Sequence, residues 1–186
     1  RDGQNTLDVS ADLTELGRTP VSVVCAGPKS ILDIGLTLEF LETQGVFVGT
    51  YNEGTNRSVD IPGFYTRESG FKSPYSFDTF EEAALIIYNQ NVVMGLKTGN
   101  VFCIPPSEAT ALLADFINSI IEEANAEAVQ LGIKGKEITP FLLSRIAKLT
   151  EGQSVKSNIE LVLNNARASV EIAKSLLQLE LENVSI

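Results

Sequence analysis

The sequence predicts an α/β fold in which a layered mixed sheet is flanked by helices and the C-terminal half is mostly helical. Two observations lead to this prediction. Short apolar runs alternate with a helical pattern in the first hundred residues, whereas residues 107–180 are dominated by helical periodicity. The chain has 186 residues, of which 44% are hydrophobic, and this is enough for one domain with a full core.

The first half of the chain contains a strand–helix–strand unit. The apolar run 20–26 predicts a strand, and Gly27-Pro28 ends it. A helix is expected over residues 30–44 because apolar side chains recur every three or four positions, and residues 46–51 form the next apolar run. Such a unit usually joins adjacent parallel strands through a right-handed crossover.

The rest of the chain is expected to supply one long loop, one strand and four helices. Residues 52–77 are rich in Gly, Ser and Pro and have no sustained periodicity, which is typical of a loop. Asp78 is expected to cap a helix over 79–90, with Glu81 at the reciprocal capping position. The remaining predictions are a strand at 100–104 and helices at 107–131, 139–149 and 154–180, with Ser107 and Thr139 as caps.

The composition excludes several classes of function. The net charge of −10 argues against a surface that binds nucleic acid, and no apolar run approaches the ~18 residues that span a bilayer. The chain contains no histidine, so it cannot by itself build a Ser-His-Asp triad or an imidazole metal site. Cys25 and Cys103 lie in apolar runs and are expected to be reduced thiols, as in an intracellular and most simply cytoplasmic protein.

Lys29 is the first candidate for chemistry because it follows the first strand at the turn into a helix. Ligands in α/β folds gather at the carboxyl ends of strands. An amine next to a low-dielectric strand end can lose its proton and attack a carbonyl to form a Schiff base. Its position also fits an ordinary solvated lysine at a strand–helix turn.

Two polar segments are the other candidates. Asp8 and Asp12, with Ser10 between them, could hold a hard cation such as manganese or magnesium, or they could form only a turn ahead of a helix. Asn164 and Asn165 stand in an apolar helix. Their amides match the edge of a nucleobase, although a hydrogen bond between helices would satisfy them equally well.

Six sequence blocks occur in order along almost the whole chain. They are DVSADLTEL at 8–16, CAGPKSILD at 25–33, TLEFLETQGV at 37–46, FYTRESG at 64–70, TPFLL at 139–143 and NIELVLNNAR at 158–167. Together they resemble the pseudouridine-5′-phosphate glycosidase family, also called indigoidine synthase A-like.

The resemblance implies a C–C glycosidase that reversibly converts pseudouridine 5′-phosphate into uracil and ribose 5-phosphate. It further implies a lysine imine at C1′ of the ring-opened ribose, a divalent metal that is usually manganese, and a homotrimer. By the same resemblance, the imine-forming lysine is Lys29, the metal-binding aspartate is Asp8, the substrate-contacting residues are Ser10, Ala11 and Asp12, and the uracil-contacting asparagine is Asn165.

The chain also departs from the family. The family carries an N-terminal segment with a glutamate general acid and a phosphate-contacting lysine, whereas this sequence opens at Arg1 just before the aspartate block. Residues 1–186 are therefore expected to be the C-terminal portion of one catalytic domain, with little activity by itself and with the N-terminal segment as a partner. The alternatives are a non-catalytic binding or assembly module and an imine-forming aldolase-like enzyme on another sugar phosphate.

Overall fold

A computed structural model describes residues 9–55 and 58–183, and at its centre lies a four-stranded parallel sheet. The strands stand in the order β1-β4-β2-β3. Their bounds are β1 (Ser22–Cys25), β2 (Phe47–Tyr51), β3 (Tyr75–Phe77) and β4 (Asn100–Cys103). The helices are α1 (Ala11–Leu16), α2 (Ile34–Thr43), α3 (Phe80–Tyr88), α4 (Ala114–Gln130), α5 (Ile138–Leu149) and α6 (Gln153–Asn183).

The α/β class and the helical C-terminal half are confirmed, and the sheet is simpler than expected. All three strand pairings are parallel, so the expected mixed character is wrong for the strands of the described residues. The antiparallel pairing in that part of the chain is one isolated bridge between Asp60 and Lys72. The physical reason is that a long connection separates every pair of adjacent strands, and long crossovers favour parallel pairing.

Strand β3 lies inside the segment that was expected to be a loop. Only three residues pair with β2, with Tyr75 opposite Gly49 and Phe77 opposite Tyr51. Three residues are too few to show a period of two, so the strand depends on its neighbour rather than on its own sequence pattern.

Three helix starts also differ from the prediction. Thr79, not Asp78, caps α3 by accepting a hydrogen bond from the Glu82 N–H, and the Glu82 carboxylate accepts one from the Asp78 N–H. The capping box is therefore shifted by one residue. Ser107 forms a separate turn, with α4 beginning seven positions later at Ala114, and α5 begins at Ile138 rather than after a Thr139 cap.

The sheet is covered on both faces, which explains why its strands are apolar. Helices α1 and α2 pack with β1, β2 and β4 in one cluster, and α3 and α6 pack against Phe77 and Phe102 in another. These two rings are fully buried and meet edge to face, 5.5 Å between centroids. A third cluster joins α4 and α5 to Ile31 and Tyr65. It ties the segment after β1 to the helical half, and so fixes the surroundings of Lys29.

None of the helices within residues 9–55 and 58–183 is long and apolar enough to cross a membrane.

Candidate active site

The carboxyl edge of the sheet is built from the segments that follow β1, β2 and β4. Strands β1 and β4 are neighbours, and the Ile104 N–H donates to the Cys25 carbonyl at 2.7 Å. The chain after β1 reaches Lys29 within four residues, while the chain after β4 continues into Pro105 and Pro106. The turn that carries Lys29 therefore leaves the sheet beside the proline pair.

The Arg67 side chain links the segments at this edge through hydrogen bonds. Its guanidinium donates to the Pro106 carbonyl at 2.5 Å and to the Glu53 carboxylate at 2.7 Å. Glu53 follows β2, so one side chain joins the segments after β2 and β4 to the loop before β3. We expect it to hold the edge in shape, because the guanidinium donates to two partners at once.

The turn before Lys29 has a backbone that only glycine fits. Gly27 has a φ of 85°, and a Cβ atom there would lie 1.9 Å from the Pro62 carbonyl oxygen. Beside it, the Phe64 N–H donates to the Ala26 carbonyl at 3.1 Å, and the Leu32 N–H donates to the Lys29 carbonyl at 2.9 Å. The backbone around Lys29 is thereby fixed on both sides. The Lys29 side chain, which is half-buried, has no ion pair within the part of the chain that the structure describes.

A cleft of about 940 Å³ opens next to this turn. Its walls are the turn after Lys29, the loop 60–71 and one face of α4 from Ala114 to Asn125. Ser30 lines the cleft, and its Oγ atom is buried without a hydrogen-bond partner among the described residues. Lys29 itself is not one of the lining residues. Sequence reasoning missed Ser30, although its place directly after Lys29 was a usable signal.

The sequence left two interpretations open for Asn164 and Asn165, a contact to a nucleobase and an internal hydrogen bond. In the structure the two side chains have different surroundings. The Asn164 amide donates to the Pro105 carbonyl at 3.4 Å, so its partner is a backbone group in the segment after β4 and not another helix. The Asn165 Oδ1 atom is buried and finds no partner within the described residues. Since a buried acceptor without a partner costs ~1–3 kcal/mol, the position suits a ligand that brings a donor. Helix α6 thus brings its amide pair to the edge where β4 ends.

The Ser10–Asp12 segment stands at the start of α1, on the surface. Ser10, Ala11 and Asp12 are exposed, and the Ser10 side chain makes no capping hydrogen bond at the start of α1. The other end of α1 lies at the amino edge of the sheet, where the Gly99 N–H donates to the Leu16 carbonyl at 2.6 Å. The described residues show no hydrogen bond between this segment and Lys29, so its predicted role in substrate binding stays a prediction.

The predicted metal ligand, Asp8, lies outside the described residues. In residues 9–55 and 58–183, no group of three Cys, Asp or Glu side chains is placed to hold a metal ion. The described residues therefore do not by themselves fit a bound cation. A site for manganese or magnesium would need Asp8 together with oxygen ligands from beyond them.

The two thiols lie below this edge, in register on β1 and β4. Their mutual hydrogen bond lowers the pKa of Cys25, and the same bond together with burial raises the pKa of Cys103 well above its ordinary value. Both are free cysteines, and Cys103 is fully buried. The buried Cys103 thiol packs within the sheet as a small apolar group.

Comparison with known proteins decides the family. Residues 1–175 match the family model described as indigoidine synthase A like protein. The chain belongs to the indigoidine synthase A-like family. This confirms the family that the six sequence blocks indicated, and the residues of those blocks are the ones that form the turn at Lys29 and the amide pair on α6.

Curated relatives of this family member carry the name pseudouridine-5′-phosphate glycosidase. Glycosidase 2 of Rhizobium johnstonii is 53% identical over 173 residues, which cover 93% of this chain and 54% of that protein. The glycosidase of Alkaliphilus metalliredigens is 50% identical over 176 residues, covering 95% of this chain and 55% of that protein. The chain thus spans about half the length of these relatives.

Two solved structures share the fold. The prealnumycin C-glycosynthase AlnA, solved in complex with ribulose 5-phosphate, is 32% identical with a TM-score of 0.86 over 97% of this chain and 57% of that chain. An indigoidine synthase A-like protein from Thermotoga maritima is 31% identical with a TM-score of 0.75, over 91% of this chain and 55% of that one.

Proposed function

We propose that this chain is the part of a pseudouridine-5′-phosphate glycosidase that holds the imine-forming lysine and the uracil-binding amide. The observation that carries the proposal is the buried Asn165 Oδ1 atom, which has no partner among the described residues and stands next to Asn164, whose amide reaches the Pro105 carbonyl after β4. The names of the curated relatives support the substrate, pseudouridine 5′-phosphate. Cleavage of its C–C glycosidic bond would give uracil and ribose 5-phosphate.

The chemistry needs an amine because the bond to be cleaved is between two carbons. Uracil is attached to C1′ through its carbon C5 and has no glycosidic oxygen to be protonated, so the usual pair of carboxylates is insufficient. In the proposed reaction, the Lys29 amine adds to C1′ as the C1′–O4′ bond breaks, so the ribose ring opens and O4′ takes up the proton released by the nitrogen. The nitrogen lone pair forms the C=N bond while the C1′–C5 electron pair moves to the uracil ring, which takes up a proton at C5. Water then hydrolyses the imine and releases ribose 5-phosphate and the free lysine.

The described residues leave part of this reaction to other groups. A general acid must deliver the proton to C5, and a cation must bind the phosphate. We assign these roles to the glutamate and lysine of the family's N-terminal segment, which makes that segment a functional partner of this chain. The assembled enzyme is proposed to be a homotrimer in the cytoplasm, with Ser10, Ala11 and Asp12 contacting the substrate.

Asn165 provides the direct test of this function. Replacing Asn165 with alanine is expected to slow uracil release from pseudouridine 5′-phosphate about 10- to 100-fold, because a donor on uracil loses its buried acceptor. The assay uses this chain together with the N-terminal segment and follows free uracil by chromatography. Gln178→Ala removes an exposed amide from the same helix and should leave the rate unchanged. No release of uracil by the unaltered assembly would contradict the proposed function.

The metal is tested separately from catalysis. We propose that Asp8 binds manganese or magnesium, since hard cations prefer carboxylate oxygen. Titration of the assembly with manganese, followed by the loss of the free-ion electron paramagnetic resonance signal, is expected to reveal one site per chain. Asp8→Asn should weaken that binding at least about 10-fold, whereas Asp115→Asn, an exposed aspartate on α4, should not. Equal binding by both variants would remove Asp8 from the site.

A further inference from the structure

Helix α6 has one apolar face that the fold explains. Leu161, Ala168 and Ile172 are buried, and the last two pack into the cluster formed by α3 and the sheet. The helix also lies against β1. A helix that covers a sheet normally presents charged and polar side chains on its opposite side.

The opposite side of α6 carries a second apolar stripe. Its large members are between 49% and 61% exposed and recur at intervals that keep them on one side of a helix. Exposed alanines fill the intervening turns, so the stripe runs for roughly 33 Å along the helix. The large members are Val155, Ile159, Val162, Val170 and Leu177, and the alanines are Ala166 and Ala173.

Strand β1, beneath α6, is an edge strand with an apolar sequence. Within the described residues it pairs on one side only, with β4, and all four of its residues are half-buried. Apolar strands of parallel sheets are normally covered on all sides, and open edges are protected. A polypeptide that extended the sheet past β1 would place its own covering helix alongside α6.

We infer that the second stripe of α6 and the open edge of β1 are the docking face for the part of the family polypeptide that the curated relatives possess beyond the half spanned here. The alignments cover 93% and 95% of this chain but only 54% and 55% of those two relatives, so nearly half of each relative lies outside the aligned region. A strand paired with β1 and a covering helix alongside α6 together need a polypeptide segment, which the unaligned part of these relatives is long enough to supply. The inference concerns assembly and holds whether or not the proposed activity is found.

Co-purification tests the inference. This chain is co-expressed with a tagged segment made of the residues of the Rhizobium johnstonii relative that lie outside the aligned region. The unaltered chain is expected to co-purify with the segment. The double variant Ile159→Glu with Val162→Glu should reduce the recovered chain at least about 10-fold, because two charges would be buried without partners. The matched control is Gln153→Glu with Gln178→Glu, which adds the same two charges at exposed polar positions of α6 and should co-purify normally.

Three results would overturn the inference. The first is a failure of the unaltered chain to co-purify, and the second is normal recovery of the Ile159→Glu, Val162→Glu variant. The third is a stable oligomer of the chain alone that this variant dissociates in sedimentation, since the stripe would then bind a second copy. Thermal unfolding by circular dichroism is measured for each variant, and matching transitions attribute any lost recovery to docking rather than to misfolding.

Discussion

Replacement of Lys29 by alanine is expected to lower the rate of uracil release by about 10⁴-fold or more, because no other group replaces a missing covalent nucleophile. The same substitution is expected to abolish the adduct that borohydride traps when the assembled enzyme is incubated with ribose 5-phosphate. Reduction converts the imine to a stable secondary amine, so intact mass spectrometry detects the adduct and peptide mapping places it at residue 29.

Lys97 provides the control for that experiment. It is an exposed lysine in the segment just before β4, and Lys97→Ala should retain both the adduct and the activity. An adduct of normal yield in Lys29→Ala would show that another lysine forms the imine. Activity retained by Lys29→Ala with no trapped adduct in any variant would exclude imine chemistry altogether.

Replacement of Gly27 by alanine is expected to lower the free energy of unfolding by at least about 3 kcal/mol. Two costs add together. A left-handed backbone costs a residue with a Cβ atom ~1–2 kcal/mol, and at a φ of 85° that cost applies to Gly27. The new Cβ would also lie 1.9 Å from the Pro62 carbonyl oxygen, so backbone must move. Urea unfolding followed by circular dichroism measures the loss.

Gly152 separates the two costs. Its φ is 83°, yet a Cβ atom there would have nothing within 4 Å. Gly152→Ala should therefore lose only the ~1–2 kcal/mol of the backbone term. Equal losses at the two positions would mean that the contact with Pro62 relaxes without cost. If the clash instead displaces the turn, Gly27→Ala should also reduce trapping at Lys29, two residues away.

Local patterns predicted most of the elements because their causes are local. The strand after Pro20 and the helix before Gly45 follow from apolar spacing and from glycine at the ends, and both are found within a few residues of the expected bounds. Strand β3 and the start of α4 could not be predicted in this way. Tyr75–Phe77 becomes a strand because β2 offers a partner, and Ala114 begins a helix without any side-chain cap.

The sequence predicted several residues of the candidate site but not how those residues are arranged in space. Lys29 and the pair Asn164–Asn165 are separated by more than 130 positions, and only their residue types and their resemblance to a family linked them. The structure shows that the two asparagines differ in their hydrogen bonds. The Asn164 amide donates to the Pro105 carbonyl, whereas the Asn165 Oδ1 atom has no partner among the described residues. Ser30 beside the cleft is a further polar group that sequence reasoning did not single out.

The sequence by itself determined the α/β class, the family and the absence of histidine chemistry, because composition, spacing and motif order are properties of the chain alone. Only the tertiary structure decided which buried amide has a partner, that Ser30 lines a cleft, and that α6 has a second apolar face directed outward. The physical reason is that hydrogen bonding and burial depend on neighbours distant in sequence. A helical pattern shows that a face is apolar but not whether another element covers it.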